Sequence, residues 1–148
     1  MNDYKAQLEE LLDLTIKERA SDLHLSLNQP PVLRIAGSLI PLLKKKTLVQ
    51  KDTQEISRLL MTEEQYQMFL REKEIDFSYN FKDKARFRVN TFFQKGEVSI
   101  ALRLIPTKIR TIEELNLPPI LHEFAKANQG FVLITGPSSQ GNQPPWPP

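Results

Sequence analysis

The sequence predicts an α+β domain, a mostly antiparallel sheet with helices on one face, followed by the start of an α/β domain. Three observations carry this. Apolar residues recur at helical spacing near the N-terminus and again between residues 51 and 70. Short runs of alternating apolar and polar residues, separated by turn residues, lie on either side of those central helices. Phe131-Val132-Leu133-Ile134-Thr135, closed by Gly136, is a continuous apolar run of the kind buried on both faces of a parallel sheet.

Taken in order, Leu8, Leu11, Leu12, Thr15 and Ile16 put one apolar face on a helix over residues 3–19. After Ser21-Asp22, the leucines Leu23, Leu25 and Leu27 alternate with His24 and Ser26, which reads as a strand. Asn28-Gln29-Pro30-Pro31 forms a turn, because proline cannot donate to a ladder. Val32–Ala36 is a second strand, Gly37-Ser38 a tight turn and Leu39–Leu43 a third strand. A helix from about Lys51 to Met61 turns Ile56, Leu59 and Leu60 inward. Thr62-Glu63-Glu64-Gln65 has the spacing of a capping box, so the next helix starts near Glu63 and buries Tyr66, Phe69 and Leu70. Three antiparallel strands follow over 75–80, 85–94 and 97–105.

Residues 106–117 read as a linker with a second capping box at Thr111–Glu114, and Pro118-Pro119 opens a helix over Ile120–Ala127. The expected organisation is therefore a domain over 1–105, a linker over 106–117, the start of a second domain over 118–141, and a separate tail over 142–148.

Composition narrows the functions. The chain has 148 residues, 40% of them hydrophobic and 26% charged, a globular profile. A formal net charge of +2 announces no nucleic-acid surface, so no nucleic-acid partner is expected. The absence of cysteine removes disulfides, thiolate metal sites and cysteine nucleophiles, and it suits a cytoplasmic protein. With two histidines, a histidine-based metal site is not expected. No apolar run is long enough to span a membrane.

The last two strands of the first domain carry the first candidate site. A two-residue turn at Lys95-Gly96 sets Phe93 opposite Val98, Thr91 opposite Ile100, Val89 opposite Leu102 and Phe87 opposite Leu104. That register makes one face apolar and places Arg88 directly opposite Arg103 on the other, with Arg86 one pleat away. Like charges directly opposed are destabilising, so something offsets them. Two explanations stand: pairing with Asp76 on the neighbouring strand, or an anion such as phosphate gripped by Arg86, Arg88 and Arg103.

The second candidate is Gly136-Pro137-Ser138-Ser139-Gln140-Gly141, which follows an apolar run and matches G-x-x-x-x-G, the first six positions of a Walker A loop. In such a loop the backbone amides wrap phosphates, and a following lysine and Ser/Thr supply positive charge and a magnesium ligand. Asn142 and Gln143 stand in those two places, ahead of Pro144-Pro145. The genetic code suggests why. Asn-Gln-Pro-Pro-Trp-Pro-Pro is encoded by AAY CAR CCN CCN TGG CCN CCN, and one base restored after the first AA lets the frame encode Lys-Ser-Thr-Thr-Leu-Ala-Ala. Residues 142–148 are thus expected to be the out-of-frame continuation of an intact loop.

Taken together, Ala20-Ser21-Asp22-Leu23-His24-Leu25-Ser26, Pro30-Pro31-Val32-Leu33-Arg34, Ala85-Arg86-Phe87-Arg88-Val89-Asn90, Arg103-Leu104-Ile105-Pro106, Leu115-Asn116-Leu117-Pro118-Pro119 and Gly130–Pro137 resemble the PilT group of type IV pilus retraction ATPases, within the secretion-ATPase superfamily. The resemblance runs from the N-terminus to Gly141. It implies a PAS-like N-terminal domain followed by the incomplete start of a RecA-like ATPase domain, in a cytoplasmic hexameric ring at the inner-membrane platform of the pilus. It implies ATP and Mg²⁺ as the family's ligands, with ATP bound between the two domains and its hydrolysis driving pilus retraction and twitching motility. By position it brings Arg86, Arg88 and Arg103 toward the nucleotide phosphates and makes Gly136, Pro137, Ser138, Ser139, Gln140 and Gly141 the phosphate loop. With Asn142 and Gln143 in place of the Walker lysine and serine, and no Walker B carboxylate or other catalytic residue identified in this chain, productive nucleotide binding and hydrolysis are not expected. The rival expectations are a stand-alone PAS-like binding or regulatory module that joins an intact hexameric ATPase, and a small phosphate-binding protein that uses only the arginine hairpin. His24 and His122 are read as structural, and Glu113 and Glu114 as solvent-facing and capping residues.

Overall fold

The computed structural model describes residues 3–105, 111–127, 129–131 and 133. The chain divides into two compact units, one ending at Thr107 and the other beginning at Lys108.

The first unit opens with helix α1 (Tyr4–Lys17), whose N-terminus is capped by the Asp3 carboxylate accepting from the Ala6 amide at 3.1 Å. Leu8, Leu11, Leu12 and Thr15 are buried, and the Thr15 hydroxyl donates back to the Leu11 carbonyl at 2.7 Å. Ile16 is only partly buried and packs at the margin of the core. Strands β1 (Asp22–Leu25), β2 (Val32–Ile35) and β3 (Ser38–Pro41) follow. The first ends two residues before the expected Leu27, which lies in the turn leading to Asn28, a residue with φ of 59°. The β2–β3 turn is Ala36-Gly37, one residue earlier than the sequence suggested. Both residues have positive φ, 50° and 81°, as a twist-matched two-residue hairpin requires.

Helices α2 (Gln50–Leu60) and α3 (Glu63–Glu72) come next. The α2 N-terminus is held by the buried carboxylate of Asp52, which accepts from the Val49 amide at 2.9 Å. The α3 capping box has both arms, the Gln65 amide donating to Thr62 Oγ1 at 3.3 Å and the Thr62 amide to Gln65 Oε1 at 2.9 Å. Ile56, Leu60 and Phe69 are buried, but the expected burial of Leu59 and Leu70 does not occur; both are exposed, and Tyr66 is only partly covered. Each helix buries a stripe narrower than its run of apolar residues.

Strands β4 (Glu74–Phe81), β5 (Ala85–Gln94) and β6 (Glu97–Ile105) complete one six-stranded sheet in the order β3-β2-β1-β6-β5-β4, antiparallel at every pairing. The β5–β6 register matches the sequence reading at each pair, from Phe87 opposite Leu104 to Phe93 opposite Val98. The class is α+β. Leu23, Leu25, Leu33, Phe81, Phe87, Val89, Ile100 and Leu102 line one face of the sheet and form the core with Leu8, Leu11, Leu12, Ile56 and Phe69 from the helices. Burial of such side chains stabilises by roughly 1.5–3 kcal/mol each.

In the second unit, Thr111 and Glu114 form the reciprocal bonds of the second capping box, at 3.1 and 3.2 Å. A short helix, α4 (Leu121–Lys126), follows. Its residue His122 pairs with Glu113, whose carboxyl that bond draws down to about 2. Of the run 131–135, only Phe131 and Leu133 are described; both are exposed and neither is in a strand. The candidate phosphate loop and the tail over 142–148 lie outside the described residues.

Candidate functional site

Strand alternation sends every second residue to the sheet face opposite the core. Following the register across five strands gives one row, Arg34 on β2, Asp22 on β1, Arg103 on β6, Arg88 on β5 and Ser78 on β4. Arg86 lies one pleat from Arg88, paired with Ile105 on one side and Asn80 on the other. The three arginines expected from the sequence are therefore brought onto one face, with Arg88 directly opposite Arg103. A fourth, Arg34, joins them.

The opposed arginines engage separate carboxylates. Arg103 donates through Nε to Asp22 Oδ1 at 2.9 Å, while Arg88 donates through Nε to Asp76 Oδ1 at 3.4 Å. Arg34 Nε lies 3.4 Å from the other Asp22 oxygen, which also accepts from the Ser21 hydroxyl at 2.8 Å. Arg86 donates through Nη2 to Ser78 Oγ at 3.1 Å. Asp22 is thus the hub of the row, its side chain 8% exposed against 70% for Arg103 and 66% for Arg88. Burial pushes its carboxyl up, but the hydrogen bonds from Arg103 and Ser21 outweigh burial and hold it below the ordinary aspartate value.

Asp22 and Arg34 are the site residues that sequence reasoning missed. The signal for Asp22 was present, since the alternation in Asp22-Leu23-His24-Leu25 already set Asp22 and His24 on the polar side. The link was not, because Asp22 and Arg103 are 81 residues apart and meet only through the β1–β6 pairing. His24 lies on the same face, and its Nε2 is buried with no hydrogen-bond partner among the described residues. Burial pushes its imidazole down from the usual value, Asp22 opposes this, and Arg34 and Arg103 reinforce it.

Chemically, the face offers guanidinium groups with spare donors above a buried carboxylate, which suits a phosphate-like anion. Among the described residues no group of three or more acidic or histidine side chains could hold a metal ion, and no helix is long and apolar enough to cross a membrane.

No family model matches the chain. Over 132 residues, 89% of the chain, it is 36% identical to the type IV pilus retraction ATPase PilT of Pseudomonas aeruginosa. The chain is homologous to the N-terminal part of PilT-type ATPases. The type IV pilus ATPase PilU of the same organism is 34% identical over 135 residues, 91% of the chain. The crystal structure of the pilus retraction motor PilT with bound ADP shares the fold, with a TM-score of 0.75 and 32% identity over 88% of this chain and 38% of that one. The chain spans a little over a third of the curated PilT-type relatives it matches, 35% of PilU and 38% of PilT.

Proposed function

We propose that the chain is the N-terminal portion of an ATP-binding motor of the kind that powers type IV pilus retraction and twitching motility. The observation that carries this reading is the homology to PilT over 89% of the chain. The arginine face supports it, because Arg86, Arg88 and Arg103 present the chemistry that nucleotide phosphates require. In the intact assembly ATP with Mg²⁺ sits between this domain and a RecA-like domain, Gly136–Gly141 wraps the phosphates, and the motor is a cytoplasmic hexamer at the inner-membrane platform. Residues 1–105 form the N-terminal domain, 106–117 the linker, 118–141 the start of the ATPase domain and 142–148 an out-of-frame tail. Asn142 and Gln143 supply neither the cation nor the magnesium ligand of a working loop.

The test is nucleotide binding and turnover by the full chain. Weak, salt-sensitive ATP binding with no hydrolysis above background is expected, and the double variant Arg88→Ala/Arg103→Ala loses the binding. Hydrolysis by the pure chain, or binding unchanged in the double variant, overturns this reading. Among the described residues the buried apolar ones lie in the first unit, which favours a second role, a binding or regulatory module that joins an intact ring. Stoichiometric copurification with a full-length secretion ATPase would mark that role.

A further inference from the structure

We propose that Asp22 is a positioning residue for anion recognition, tying Arg103 through Nε so that its Nη fork stands free opposite Arg88. This rests on the reading that the arginine face receives phosphate. The geometry separates holding from binding. Arg103 and Arg88 each engage a carboxylate through Nε, and neither donates through an Nη to any described residue. Two side chains directly opposed in register, both more than half exposed, thus keep their Nη pairs open. That pair of donors matches two phosphate oxygens. Asp22 itself is not available to the ligand. It is buried, and its oxygens are taken by Arg103 on one side and by Arg34 and Ser21 on the other. Arg34 is anchored in turn, its Nη1 donating to the Gly37 carbonyl at 3.3 Å in the β2–β3 turn. The brace therefore runs from a hairpin turn through Arg34 and Asp22 to Arg103.

Positioning and simple electrostatics predict opposite signs, which makes the idea testable. Asp22→Asn removes a negative charge beside Arg34 and Arg103, so charge alone would tighten anion binding. If Asp22 orients Arg103, the same change weakens it, because an untethered guanidinium must be ordered by the ligand. The probe is inorganic tripolyphosphate titrated into the full chain, followed by the Nε–Hε resonances of the arginines. The expected result is saturable binding by the wild type that Asp22→Asn weakens about fivefold or more, with the Arg103 Nε–Hε signal moved in the unliganded variant. Ser21→Ala, which leaves every charge in place but removes one of the two partners of Asp22 Oδ2, weakens binding about two- to threefold and serves if Asp22→Asn does not fold. Equal or tighter binding by Asp22→Asn, or by Ser21→Ala where that variant stands in, overturns the positioning role. If Arg103→Ala still abolishes binding in that case, the phosphate reading survives. No binding by the wild type, or none lost in Arg103→Ala, overturns both.

Discussion

His24 and the two buried aspartates Asp22 and Asp52 give the protein two separate sensitivities to acid. Burial and the nearby Arg34 and Arg103 hold the His24 imidazole neutral below its ordinary value, and Asp22 offsets this only in part. Between the unfolded histidine value of about 6.5 and the lower folded value, the unfolded chain binds the extra proton, so stability falls as pH falls through that window. Asp22 and Asp52 act lower. Both carboxyls are held below the ordinary value despite burial, Asp22 by Arg103 and Ser21, Asp52 by the Val49 amide and Lys46. Their contribution is complete above an unfolded value of about 3.9 and is lost as pH drops through the folded values. Urea denaturation at a series of pH values is therefore expected to show two declines, one beginning below about 6.5 and a second below about 4. His24→Gln should remove the first and leave the second. A first decline that survives in His24→Gln would show that another group causes it.

The elements show how far local signals reach. The turns of β2–β3 and β5–β6 use the same geometry, with Ala36 at φ 50° before Gly37 at 81° and Lys95 at 52° before Gly96 at 85°. A left-handed alanine costs about 1–2 kcal/mol, while glycine gives the unfolded chain about 0.4–1 kcal/mol more entropy to lose on folding. Ala36→Gly is thus expected to stabilise by about 0.5–1 kcal/mol, read as a higher urea midpoint at unchanged slope. Destabilisation would mean that the alanine methyl makes a contact worth more than the strain. The same alanine explains a misreading. A turn of this type advertises itself through Asn-Gly or Asp-Gly, and Ala-Gly carries half the signal, so the sequence placed the turn one residue late. Lys95-Gly96 carries no more of it, but the alternating runs on both sides made that hairpin register legible pair by pair. The capping boxes at Thr62 and Thr111 were legible too, since both partners lie within four residues. Leu59 and Leu70 were misplaced because periodicity gives the direction of an apolar face but not how much of it a neighbour covers. The arginines of the site came from local alternation. Asp22, which holds Arg103, and Arg34, which holds Asp22, depended on a long-range pairing that no local pattern encodes.

At the scale of the whole molecule, the distribution of burial separates the two units. The buried apolar residues of the described chain run from Leu8 to Leu102, and all belong to the first unit. In the second unit Ile120, Phe124, Phe131 and Leu133 are exposed, and Ile112, Leu115, Leu117 and Leu121 are only partly buried. The six strands close their pairings among themselves, and α1, α2 and α3 contribute to the same core. A fragment ending at Thr107 therefore retains every buried apolar residue of the described chain and should unfold as one cooperative unit. Its thermal midpoint, followed by far-UV circular dichroism, is expected within about 2–4 °C of the full chain, the shift that roughly 0.5 kcal/mol gives a domain of this size. The arginine face also lies wholly within that fragment, so tripolyphosphate affinity should be unchanged as well. A midpoint lowered by 10 °C or more would assign the second unit a share of the core. An unchanged midpoint with lost affinity would instead place part of the anion site after Thr107, which is where the glycine-rich loop stands in the sequence.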